Sequence, residues 1–192
     1  MRRLLAAATL AGLLALQHGC DWFRLREPPP PQNGGSFFFP DSAHKVLDNL
    51  ASAFNEFNLS RYLQSFAPEF RFYPEDRLVN GPTGDLYRNW TLEVESTRVQ
   101  ALFQVLDLGH QPSPVVFTLS YRPTDTLTDE IRFRAHYDLE LYLLREPHRV
   151  VAAGSSLFVL RKDPADLWHL ESWYDWADSG QLSIAEVKAQ DF

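Results

Sequence analysis

Seven tyrosines, six histidines and one cysteine are the side chains of this 192-residue chain best suited to chemistry, and their spacing decides which chemistry is open. A metal site needs donors that converge. His44, His110, His136, His148 and His169 fall in separate segments, with no cysteine pair and no H-E-x-x-H turn to hold zinc. The loops at 74–85 and 124–130 carry Asp, Asn and Thr oxygens without calcium-loop spacing, so they read as solvated turns. Gly154-Ser155-Ser156 lacks the second glycine of a nucleophile elbow and leads into a strand, not a helix. No metal and no cofactor is expected. What remains is proton transfer in an apolar cavity; Tyr121, Tyr137, Ser172 and Tyr174 register with apolar neighbours and form the candidate pocket, and no catalytic residue is assigned. Tyrosines on a sheet also serve as plain core residues with the hydroxyl bonded nearby, and both readings stand at this point.

The strands that position these groups show a period of two. Val115, Phe117, Leu119 and Tyr121 alternate with smaller or polar residues. Ile131, Phe133, Ala135, Tyr137, Leu139, Leu141 and Leu143 alternate with Arg132, Arg134, His136, Asp138 and Glu140, so Tyr137 points inward and the charges outward. By the same count Ser172, Tyr174 and Trp176 share the inward face of Trp168 and Leu170, leaving Glu171 and Asp175 outside. Trp173 breaks that alternation, and a bulge there would reverse the second half of the strand and bring Asp175 inward.

Helices come first in the chain. Asp41 is the expected cap of a helix whose apolar stripe runs through Ala43, Val46, Leu47, Leu50, Ala51, Phe54 and Phe57. Asn58 caps a short second helix with Leu59, Tyr62, Leu63 and Phe66, ended by Pro68. Phe70 to Tyr73 is a short strand, and a third helix over 90–103 carries Trp90, Val94, Thr97 and Ala101 on one face. Helices followed by long hairpin-linked strands predict an α+β fold: three helices on one face of a bent antiparallel sheet of four to six strands. After Asp178 the chain is a polar C-terminal tail (179–192) that frays or forms one short helix.

Two arginines, an apolar run from Leu4 to Leu16 and Gly19-Cys20 have the layout of a secretory signal, with a run too short to span a bilayer. The ending L-Q-H-G-C resembles the lipobox of bacterial lipoproteins. That resemblance implies a signal peptide at 1–19, acylation of Cys20 and anchoring to a membrane of the bacterial cell envelope. Residues 20–40, with Pro28–Pro31 and Asn33-Gly34-Gly35, read as a tether. The net charge of −7, without a Lys/Arg run, excludes nucleic acid as a partner.

The segment 49–74, through Tyr62, Phe66, Ala67, Pro68, Phe70, Phe72 and Tyr73, resembles the opening of the nuclear transport factor two-like (SnoaL-like) superfamily. So do Trp90 to Glu95 and the tryptophan-rich strand Trp168 to Trp173. The resemblance spans roughly residues 41–178 and implies a cone-shaped α+β domain. Ketosteroid isomerases, scytalone dehydratases and polyketide cyclases of this fold place Asp, His and Tyr in the cavity, whereas other members only bind. The expectation is a non-catalytic cone domain binding a small apolar ligand or an envelope protein. The alternative is a lyase or isomerase with a cavity acid/base. The outer face, with Arg132 and Arg134 followed by Asp138 and Glu140, suits a monomer or a weak dimer.

Overall fold

A computed structural model of the chain describes residues 37–82 and 84–190; Cys20, the signal peptide and most of the tether lie outside the described residues. Helix α1, Ala43–Asn55, buries Ala43, Val46, Leu47, Leu50, Ala53 and Phe54 as its periodicity requires. Ser42, not Asp41, is its N-cap residue, and Asp41 instead pairs with Lys45 at 2.7 Å. The stripe stops at Phe54. Phe57 lies past the helix end at φ 44 and is exposed. Asn49, buried among the apolar residues, clasps the Phe38 backbone with two bonds of 2.7 Å and fixes the approach to the helix. Helix α2, Leu59–Leu63, is capped by Asn58, whose side chain accepts the Arg61 N–H.

Strand β1, Phe66–Pro74, extends beyond the segment read as strand and contains Pro68. A proline without an N–H is tolerated there because β1 is an edge strand. The loop that follows holds a short helix α3, Asp76–Val79, and a 3₁₀ turn, Gly84–Leu86. In α4, Leu92–Gln104, Thr91 is the cap, so Trp90 stands outside the helical phase. The buried face is therefore Glu95, Val99 and Leu102, whereas Thr97, read on one face with Trp90 and Val94, is exposed.

Strands β2 (Val115–Thr126), β3 (Glu130–Tyr142), β4 (Arg149–Lys162) and β5 (Trp168–Ala177) form an antiparallel meander, as hairpin-linked alternating segments should. β1 adds to β5 in parallel, giving the order β1-β5-β4-β3-β2. No hairpin joins β1 to its neighbour, so the antiparallel constraint does not apply to this pair. The register of β5 shifts midway: Leu160 faces Leu170, but Val159 faces Ser172, so Glu171 is an extra residue. That bulge sets the direction of every side chain after it.

Past β5 the chain turns back and forms α5, Ile184–Ala189. Of the two outcomes expected for the tail, the short helix is the one formed, but it is no polar appendage. Ile184, Ala185, Val187, Lys188 and Ala189 are all buried, so the folded unit runs on past Asp178. Ser183 and Glu186 close a capping box at its start, and Arg77 of α3 grips Glu186 at 2.8 Å. Among the described residues no helix is long and apolar enough to cross a membrane.

Candidate functional site

The inner face of the curled sheet carries two linked clusters of buried polar groups. The first centres on Glu95 of α4, which is fully buried. Its carboxylate accepts three bonds: from the Tyr62 hydroxyl of α2, from Lys188 Nζ of α5 at 2.6 Å and from Trp90 Nε1 at 2.8 Å. Lys188 is itself fully buried, with Nζ 4.0 Å from the centre of the Trp173 ring and 4.7 Å from that of Phe72. Burial pulls its pKa down, and the facing Glu95 carboxylate resists that pull. Burial and the neighbouring Glu95 charge raise the Tyr62 hydroxyl well above its ordinary value, so it stays a donor.

The second cluster centres on Asp175 of β5, which the Glu171 bulge turns inward and buries completely. Its Oδ2 accepts the Ala185 N–H at 3.0 Å, while Oδ1 has no hydrogen-bond partner among the described residues. Burial pushes this carboxyl up to about 6, against the opposing influence of the Tyr137 hydroxyl, the Ala185 N–H and the Lys188 charge. Tyr137 of β3 lies beside it, its hydroxyl accepting the Ile184 N–H at 3.0 Å and raised by burial and then by the Asp175 charge. Gly154 makes room for that ring. A Cβ there would fall 2.6 Å from the Tyr137 oxygen and 2.2 Å from the Trp176 carbonyl. Trp173, between the clusters, donates to Ser156 Oγ at 2.9 Å.

A raised carboxyl beside a tyrosine in an apolar enclosure has the elements of a proton-transfer pair. Here, however, the space next to them is taken. The first turn of α5 gives its Ile184 and Ala185 N–H groups to Tyr137 and Asp175, and its Lys188 reaches across to Glu95. The acid and the hydroxyl thus act as receptors for the C-terminal helix.

Of the four residues proposed for a pocket, the structure puts one in the interior. Tyr137 is inward and fully buried. Tyr121 is half-buried and ties β2 to α1, donating to Asp48 Oδ1 at 2.7 Å. Ser172 and Tyr174 point to the outer face, opposite to the simple alternation, because the bulge precedes them; Tyr174 stacks there on Tyr73. The broken spacing Trp168, Leu170, Trp173 was the signal for that reversal. Glu95 and Lys188 were missed, since nothing in their local sequence distinguishes them from solvated helix charges. Among the described residues no cluster of His, Cys, Asp and Glu could hold a metal ion.

No family model matches the chain, and no curated protein does. Solved structures do. A candidate aromatic ring hydroxylase from Novosphingobium aromaticivorans aligns over 79% of this chain and 96% of its own, with TM-score 0.59 and 14% identity. A protein from Kribbella flavida covers 77% of this chain and 95% of its own at TM-score 0.56 and 13% identity. A candidate scytalone dehydratase from N. aromaticivorans covers 68% and 78% at TM-score 0.53 and 8% identity. The fold is the nuclear transport factor two-like cone. At such identities the likeness speaks for the cone and not for an activity. Within that fold, α5 is buried against the inward-facing polar groups and makes them internal partners.

Proposed function

We propose that this chain is a bacterial envelope lipoprotein, held to a membrane through lipid on Cys20, whose cone domain binds a small molecule or an envelope partner without catalysing a reaction. The observation that carries the non-catalytic reading is the occupation of the cone by α5. Asp175 and Tyr137 receive its first two N–H groups, and Lys188 is buried against Glu95, so a substrate would have to displace a capped helix to reach the acid. Lys188 and Asp175 are both without solvent exposure. The lipid anchor rests on the sequence at 1–20, and the exposed Phe37, Phe38 and Phe39 that lead into α1 suit a chain emerging from an apolar surface.

Two variants in the native host test this reading. Cys20→Ala should release the protein to the soluble fraction and remove whatever the chain contributes to the envelope. Asp175→Asn should leave both location and contribution intact. Retention of Cys20→Ala on the membrane would refute the anchor. Loss of the contribution in a folded, correctly located Asp175→Asn protein would favour the isomerase or lyase alternative instead.

A further inference from the structure

The outer face of the sheet, away from the Asp175 and Glu95 clusters, holds a groove of about 640 Å³. Such a volume suits a small organic molecule. It lies at the β1 edge, between Arg71 and Tyr73 of β1, Tyr174 and Trp176 of β5, and the wall made by Tyr87, Arg88, Asn89 and Trp90. The bulge creates it, because only the reversed register sends Tyr174 and Trp176 outward to meet Tyr73 across the parallel pair Tyr73↔Tyr174.

Three features narrow the occupant. First, Tyr73, Tyr174 and Trp176 stand parallel: interplanar angles are 13° and 12°, with centroids 4.6 and 6.3 Å apart. Tyr73 and Trp176, the two ends of this stack, are each 42% exposed, an unusual exposure for aromatic rings in a groove. A flat ring extends such a stack, whereas a puckered one does not. Second, the hydroxyls of Tyr73, Tyr87 and Tyr174 and the amide of Asn89 have no hydrogen-bond partner among the described residues, so they are available to a ligand. Asn89 is held there in the left-handed region at φ 56. Third, the charges are unequal in availability. Arg88 is spent on Asp85 at 2.6 Å and Glu75 on Arg77 at 2.7 Å. Among the described residues Arg71 bonds only the carbonyl of Phe70, at 3.2 Å, and meets no carboxylate. It projects from the same strand face as Tyr73, two residues away, and its fork geometry matches a carboxylate or similar anion. Asp76 of α3 also lines the groove and, among the described residues, has no ion-pair partner, so it disfavours an anion placed beside it.

We propose that this groove is a binding site for a flat aromatic molecule bearing an anionic group, its ring added to the Tyr73–Tyr174–Trp176 stack and its anion on Arg71. The inference rests on the reading of the chain as a binding domain and gives that reading a place outside the cone.

The test uses the full chain carrying Cys20→Ala, titrated by calorimetry with three probes of one shape: 2-naphthoate, 2-naphthol and 2-naphthylmethylammonium. Naphthoate should bind about tenfold more tightly than naphthol, and the ammonium probe no more tightly than naphthol. Arg71→Gln should reduce naphthoate to the level of naphthol, and Trp176→Ala or Tyr73→Ala should weaken both about tenfold. Arg134→Gln, on the same face but outside the groove, should change neither. All four side chains are exposed, so each variant is expected to fold. No binding of naphthoate at about 1 mM, preference for the ammonium probe, or indifference to Arg71→Gln would each overturn the proposal. If naphthoate binds but responds to Tyr137→Phe and not to the groove variants, the groove is wrong while the binding-domain reading survives. The Cys20 and Asp175 experiments judge that broader reading separately.

Discussion

Replacing Asp175 by asparagine keeps the shape of the side chain and removes its charge, which makes the pH dependence of stability a direct probe of the cone interior. Burial raises the Asp175 carboxyl from 3.8 to about 6 in the folded chain. A folded state that holds the proton more tightly than the unfolded one gains stability from that proton at low pH. The gain is complete below about pH 4 and is lost as pH rises through about 6. At about 1.4 kcal/mol per pH unit, the loss amounts to about 3 kcal/mol. The wild-type curve alone will not show it, because other carboxylates act in the opposite sense. The Leu167 N–H holds Asp163 down, and the Tyr142 hydroxyl and then Arg149 hold Glu140 down, so their contributions grow with pH. The difference between Asp175→Asn and wild type cancels these. Urea unfolding at several values between pH 4 and pH 8 should therefore show the variant gaining on wild type by about 2.5 kcal/mol of that, with most of the change between pH 4 and pH 6.5. Any cost of placing the amide NH₂ near the Ala185 N–H is the same at every pH and shifts the whole difference without tilting it. A difference that stays flat within about 0.5 kcal/mol, or tilts the other way, would show that Asp175 is not a buried, raised acid in the folded chain.

The Glu95–Lys188 pair should behave as one unit: Glu95→Gln and Lys188→Met singly should each cost about 3–5 kcal/mol in urea unfolding, and together clearly less than their sum. Additive costs would mean that the two charges do not meet. Gly154→Ala should lower stability by about 1–3 kcal/mol, since the new methyl would collide with the Trp176 carbonyl and the Tyr137 hydroxyl; an unchanged melting temperature would contradict that packing. In sedimentation, the Cys20→Ala chain at low micromolar concentration is expected to be a monomer or a weak dimer that salt dissociates, because several outer charges already pair with one another, as in Arg149–Glu140 and Arg161–Glu130. A salt-insensitive dimer would contradict it.

The parts of this fold that repeat at a regular period could be read from the residues. The α1 stripe and the alternation of β3 each depend on one local rule, and the structure keeps both. The parts that failed are set by single departures from a period. One extra residue at Glu171 exchanged the faces of everything after it, which moved Asp175 inside and Ser172 and Tyr174 outside. A bulge is decided by how two strands fit across the ladder, and the strand's own residues give only the broken spacing at Trp173 as a hint. Glu95 and Lys188 lie 93 residues apart, and each looks like an ordinary helix charge until the other is placed against it. The last segment looks polar because Glu186 and Lys188 carry charge, and their partners, Arg77 and Glu95, lie far off in the chain.

The separation of those two residues also orders the making of the molecule. Glu95, Tyr62, Trp90 and Trp173 all precede Lys188 in the chain, so every wall of the enclosure exists before the group that closes it. Until that residue arrives, a carboxylate, an indole N–H and a phenol share an enclosure that water can still enter. The nascent domain is therefore held short of its native state until α5 is free to dock. Final consolidation of the domain thus waits on the docking of α5, and until then its walls stay pliant.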